Sequence, residues 1–130
     1  MSWAATYVGV PFGEGPGQCT CWELVRRVYA EVRGIVLPVY GEISARDLLA
    51  VARGIRDGQE RWQPVERPQS FDVALLRSGR SAAVVHVGVM VDAERLLHVE
   101  EASAAVIVPI RHFTVASRIA GYRRYAGRTT

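Results

Sequence analysis

The apolar positions of this chain change period once, and the change divides it into two parts. From Cys21 to about Arg33 they fall at Cys21, Leu24, Val25, Val28 and Val32, which is one face of a helix. Thr20 followed by Glu23 reads as a capping box: the hydroxyl takes a free amide of the first turn and the carboxylate reaches back. Gly34 supplies the stop, and Cys21 is then the first helical residue. A second helix is expected after Ser44, with Asp47 as its capping partner, through "RDLLAVARGI". The Gly- and Pro-rich "GVPFGEGPGQ" ahead of the first helix reads as a loop. Residues 57–70, polar and carrying two prolines, read as the long connection of the domain.

Beyond that connection the period shortens. "FDVALLR", "AVVHVGVMV", "RLLHVEE", "AVIVPI" and "IAGYRRY" are rich in Val, Ile and Leu and predict five short strands, with a helical turn in "RHFTVAS". Helices first and a meandering sheet afterwards is the α+β arrangement. A chain of 130 residues accommodates it as one domain, residues 1–130, with the cysteine helix packed on a mostly antiparallel sheet.

Composition narrows what such a domain can do. Half of the chain (49%) is hydrophobic, which argues against disorder. The net charge is only +3, and the sixteen basic residues, all arginine, are spread along the sequence. A nucleic-acid-binding face would concentrate them, so no nucleic-acid partner is expected. "MSWAATYVGVPF" has neither a basic leader nor a long apolar run. The apolar stretch 82–91 is interrupted by His86 and falls short of the roughly 20 residues a membrane span needs. The expectation is a chain made in the cytoplasm without a signal peptide and without membrane insertion.

The two cysteines, Cys19 and Cys21, are too close to close a useful disulfide loop and lack the further ligands of a zinc site. A buried small hydrophobe or a reactive thiol remains. At a helix N-terminus the unpaired amides and the aligned peptide dipoles favour a thiolate, by about 0.3–1 kcal/mol, so a histidine must do most of the activation. The same first turn can donate an amide to an oxyanion. His86 and His98 lie in two apolar strands joined by a short turn at residues 92–94. With that turn centred near Ala93, His98 falls opposite Gly88 and both imidazoles share a face. His86 is then the base, and His98 holds its tautomer and orientation. Gly88 between them leaves room for the sulfur or the substrate backbone. His112 has no such context and reads as structural or exposed. Glu23, one turn beyond Cys21, opposes a thiolate unless the capping box holds it. Cys19 precedes the N-cap, where the dipole favours it less, and is the second candidate nucleophile.

These residues resemble the NlpC-type cell-wall peptidases, a papain-like cysteine hydrolase family. "CWELVRRVY" is similar to their Cys-Ser-Gly-Leu-Val segment, and Cys19-Thr20-Cys21-Trp22-Glu23-Leu24-Val25 is most like the Cys-Asp-Cys-Trp-Gly-Leu-Val of phage-tail members. The likeness continues through "GIVLP", "FDVALLR", "HVGVMVD" and "LLHVEE", in order along nearly the whole chain. It implies a small papain-like fold with Cys21 as nucleophile, His86 as base and His98 as orienting residue. It also implies cleavage of peptidoglycan stem peptides, needing neither metal nor cofactor. Four positions depart from the pattern. Thr20 replaces an aspartate, Glu23 and Phe71 replace glycines, and Phe12 stands where cell-wall members often carry a tyrosine.

A wall hydrolase with no export signal fits a phage tail or tail-like particle. Such a particle assembles in the cytoplasm beside tail-tip or baseplate proteins and meets the wall of the next cell from outside. The expected function is therefore a virion-borne cysteine endopeptidase aiding DNA delivery. Trp22 and Phe12 are candidate walls of its substrate groove, with ordinary core packing as the other reading. The rivals are a catalytically weak plug or assembly module at the tail tip, and an amidase or acyltransferase on the same fold.

Overall fold

The computed structural model describes residues 2–38, 61–78 and 83–127. The expected second helix after Ser44 lies outside the described residues. Helix α1 spans Cys21–Arg33, and both of its ends are made by the residues the sequence marks. Thr20 Oγ1 accepts from the Glu23 amide at 3.3 Å, while Glu23 Oε1 accepts from the Thr20 amide at 3.3 Å and the Thr20 hydroxyl at 3.0 Å. Gly34 takes the left-handed φ of 67° that ends the helix, and its N–H donates to Ala30 O at 3.2 Å. Between these caps the helix buries Cys21, Trp22, Leu24, Val25, Val28 and Tyr29. Burying an aliphatic side chain of this size stabilises by about 1.5–3 kcal/mol.

Among the described residues six antiparallel strands form the sheet: β1 (Trp62–Val65), β2 (Val73–Arg77), β3 (Val84–Met90), β4 (Arg95–His98), β5 (Val106–Pro109) and β6 (Ile119–Tyr125), in the order β1-β6-β2-β3-β4-β5. The α+β class and the helix-on-sheet packing are those expected, with one strand more than the expected five. The additional strand, β1, arises inside the stretch read as a connection. Among the described residues it pairs only with β6, so it is an edge, and an edge strand tolerates Pro64 because its outer backbone groups have no ladder partner to lose. Trp62 is its buried anchor, set edge-on to Trp22, Tyr29 and Tyr125.

The central strands are covered on both faces. Val73, Leu75, Val87, Val89 and Leu97 pack with the buried stripe of α1. Ala74, Leu76, Met90 and Leu96 form a second cluster under Val115, from the segment 111–118 that ends in a 3₁₀ turn at Ala116–Arg118. The turn between β3 and β4 is fixed by Asp92, whose Oδ1 accepts from the amides of Glu94 and Arg95, each at 2.9 Å. That sets the register Val89↔Leu97 and Met90↔Leu96 and brings His98 opposite Gly88.

A 3₁₀ segment at Trp3–Tyr7 precedes the loop, and Trp3 stacks on Phe71 with ring centroids 4.9 Å apart. The loop itself is tied down by Gly9 N to Ala105 O, Phe12 N to Ser103 O and Cys19 N to Pro11 O. Phe71 has a φ of 74°, the left-handed conformation a glycine adopts without strain, so the turn keeps a glycine-like backbone around a phenylalanine. Asp72 next to it is buried and ion-paired through both oxygens with Arg124. Among the described residues no helix is long and apolar enough to cross a membrane.

Candidate active site

Cys21 opens α1, and its side chain turns inward, 1% exposed. Amides of the first turn, Cys21 and Trp22, and the amide of Val87 on β3 are placed to favour its thiolate. The thiol therefore lies against the main chain of the residue that follows His86. Among the described residues no hydrogen bond joins the sulfur to an imidazole.

The two histidines meet. His86 Nε2 and His98 Nδ1 are 2.8 Å apart, with both rings buried and inclined at 63°. The strand geometry explains this contact. His86 pairs with Leu76 and shares its pleat with Gly88 and Met90, while His98 shares its pleat with Leu96, so both rings lie on the face of the second cluster. Gly88 is required here, for a reason other than the one expected. A Cβ on it would stand 2.7 Å from Leu96 Cδ1, 2.9 Å from Leu97 O and 3.0 Å from His98 Cβ. The space it leaves is used by β4, not by the sulfur or a substrate.

Burial decides the protonation of this site. It pushes the Cys21 thiol up to about 11 against the pull of the three amides. Burial also pulls His86 down to about 3, helped by the nearby His98 and Arg118. His98 is lowered by burial as well, with Glu100 raising and Arg118 lowering it. The resting pair is a neutral thiol and a neutral imidazole. This differs from the charge-stabilised thiolate that helix-end reasoning alone would favour, because removal from water outweighs the helix-end amides.

The other expected residues fall as follows. Cys19 is fully buried in the approach to α1, its thiol raised by burial with Arg27 opposing. Phe12 is half-buried at the margin of the main core and bridges to Cys19. Trp22 is 3% exposed, donates its indole N–H to Pro38 O at 3.1 Å and packs edge-on to Trp62. It is a core residue, and its ring does not line an open groove as the substrate-wall reading would require. His112 holds its own turn, through Thr114, at 2.7 Å.

Two residues join the site that the sequence did not single out. Glu100 Oε1 lies 3.9 Å from His86 Nε2 and 4.0 Å from His98 Nδ1, and Arg118 Nη1 donates to that same oxygen. The signal for Glu100 was present: it continues the alternation Leu96, His98, Glu100. Arg118 comes from a distant turn, and no local pattern points to it. His86, His98 and Glu100 offer three donor atoms within 4.8 Å of one another. The guanidinium already seated on the carboxylate supplies the positive charge there, so the donor set suits an ion pair better than a metal ion.

No protein-family profile matches the sequence, and no curated protein matches it. The fold does match solved structures. An NLP/P60-family protein of Staphylococcus aureus, described as similar to a lipoprotein, superposes with a TM-score of 0.65 at 22% identity, covering 96% of this chain and 39% of the other. An NlpC/P60-family protein of Bacillus cereus gives 0.66 at 18%, covering 95% and 38%. The NlpC/p60 domain of the peptidoglycan hydrolase SagA gives 0.60 at 16%, covering 93% and 92%. The chain thus has an NlpC/P60 fold, and it spans under two fifths of the first two proteins and nearly all of the third domain.

Proposed function

We propose that this chain is a peptidoglycan hydrolase, a cysteine endopeptidase acting on stem peptides. The observation that carries the reading is a hydrogen-bonded histidine pair whose strand meets, through the Val87 amide, the cysteine that opens α1, on an NlpC/P60 fold. His98 occupies Nε2 of His86, so Nδ1 is the nitrogen left to take the thiol proton. In the first step the Cys21 S–H bond breaks, its proton passes to His86 Nδ1, and the sulfur attacks the scissile carbonyl carbon. The amides at the start of α1 then receive the oxyanion. Collapse releases the amine with the proton from His86, and water, deprotonated by the same ring, hydrolyses the thioester. The closure of sulfur on imidazole that this needs belongs to the substrate complex, since catalytic hydrogen bonds often tighten only there. The finer setting, a phage tail or tail-like particle opening the wall for DNA delivery, rests on the Cys19-Thr20-Cys21-Trp22 resemblance.

Purified sacculi test the reaction. Wild type is expected to release new amino termini, and Cys21→Ser to release none. Mass analysis of the muropeptides separates a stem-peptide cut, which leaves the sugar–peptide bond whole, from amidase action. Finding the chain by mass spectrometry in purified particles tests the setting. A second reading, a plug or assembly module with little catalysis, is favoured by the buried and protonated thiol. Absence of release by wild type at any loading would leave that reading standing.

A further inference from the structure

The ion pair behind the histidines is built with more care than a surface contact needs. Arg118 is only 21% exposed, and its guanidinium is fixed before it meets Glu100: Nε donates to Arg77 O at 2.9 Å and Nη1 to Thr114 O at 3.2 Å. Glu100 sits in a tight turn, its own carbonyl accepting from Ser103 N at 3.1 Å. The clamped oxygen, Oε1, is the one that lies almost equidistant from the two ring nitrogens of the histidine bond. Arg77 of β2 is the other charged side chain beside β3, and the Cys21 thiol lies on the α1 side of that strand, against the Val87 amide. The Arg77 guanidinium is turned to Ile119 O.

We infer that Glu100 is a positioning residue for the histidine pair: held by Arg118, its carboxylate supplies the negative charge that stabilises His86 while that ring carries a second proton. The inference rests on the reading of Cys21 and His86 as nucleophile and base. When the S–H bond breaks, the electron pair stays on sulfur and the proton goes to His86 Nδ1. The ring becomes a cation whose Nε2–H points at His98 Nδ1, and Glu100 Oε1 stands beside that bond. At rest burial keeps both rings neutral, and the guanidinium acts in the same direction. In the charged state the carboxylate, 3.9 Å from His86 Nε2 and 4.0 Å from His98 Nδ1, attracts the cation that the guanidinium repels.

The two charges therefore act with opposite sign, which a purely structural role would not produce. In Glu100→Gln the guanidinium is left uncompensated. The expected result is Cys21 alkylation by iodoacetamide at pH 7, read by peptide mass, about tenfold slower, with imidazole titration midpoints by NMR displaced downward. In Arg118→Gln the carboxylate is left uncompensated, and both readouts are expected to move the other way. Glu100→Asp should recover part of the loss. Each variant is compared at equal thermal stability, by lowering temperature where needed. Shifts of the same sign in both variants, or none in either, overturn the inference. Neither readout uses peptidoglycan, so opposite-signed shifts in a protein that never cuts sacculi would sustain the pairing while removing the proposed hydrolase function.

Discussion

Phe71 carries a glycine's backbone without being one. Its φ of 74° costs a side-chain-bearing residue about 1–2 kcal/mol, and part of this is offset by the ring stacked on Trp3. The two effects can be separated. Phe71→Ala loses the stack and keeps the strain, whereas Phe71→Gly loses the stack and releases it. Alanine is ordinarily the more stable of the two, but here Phe71→Gly is expected to exceed Phe71→Ala by about 1 kcal/mol in urea denaturation. Equal midpoints, or the ordinary order, would show that the turn does not hold this conformation in solution. The sequence likeness marked Phe71 as standing in place of a glycine, and the backbone angle gives that departure a physical cost.

At the scale of elements, α1 was legible to the residue because its signals are local. Thr20, Glu23 and Gly34 each act on a neighbour within four positions, and the apolar face between them holds from Cys21 to Val28, while Val32, expected on it, is exposed near the helix end. Thr20→Ala removes one side of the capping box and is expected to cost about 1 kcal/mol. Its backbone also sets the entry of Cys21, so the loss should show as faster hydrogen exchange in the first turn of α1. The β3–β4 hairpin was legible too, since Asp92 fixes the turn and alternation then places His86 and His98 together. Strand β1 was not. Its four residues include Pro64 and the exposed Gln63, and only pairing with β6, some sixty residues away, makes them a strand. The same holds for Arg118: the turn that carries it reaches Glu100 through tertiary packing, which no local period records. The burial of Cys21, and with it the neutral resting thiol, likewise depends on β3 closing over the helix end.

For the whole molecule, the buried ionisable groups bound the pH range of stability on both sides. His86 titrates at about 3 in the fold against 6.5 when free. Between those values the unfolded chain takes a proton that the fold refuses, so stability falls as pH drops through this window. His98, also lowered, adds in the same direction. Cys21 is raised from 9.0 to about 11, so in that window the unfolded chain gives up a proton the fold keeps, and stability falls as pH rises. Thermal midpoints measured from pH 4 to pH 10 are expected to trace a plateau between about 6.5 and 9 with a decline on each side. His86→Gln should flatten the acid decline, and Cys21→Ser part of the alkaline one, with Cys19 contributing to the rest. A curve that keeps its acid decline unchanged in His86→Gln would assign it to other groups. The covered thiols have one more consequence. Peroxide attacks thiolates that it can reach, and here both sulfurs are protonated at neutral pH and shielded by the fold. The protein can therefore wait in aerated surroundings, without any reductant, and keep its sulfur chemistry intact until something opens the site.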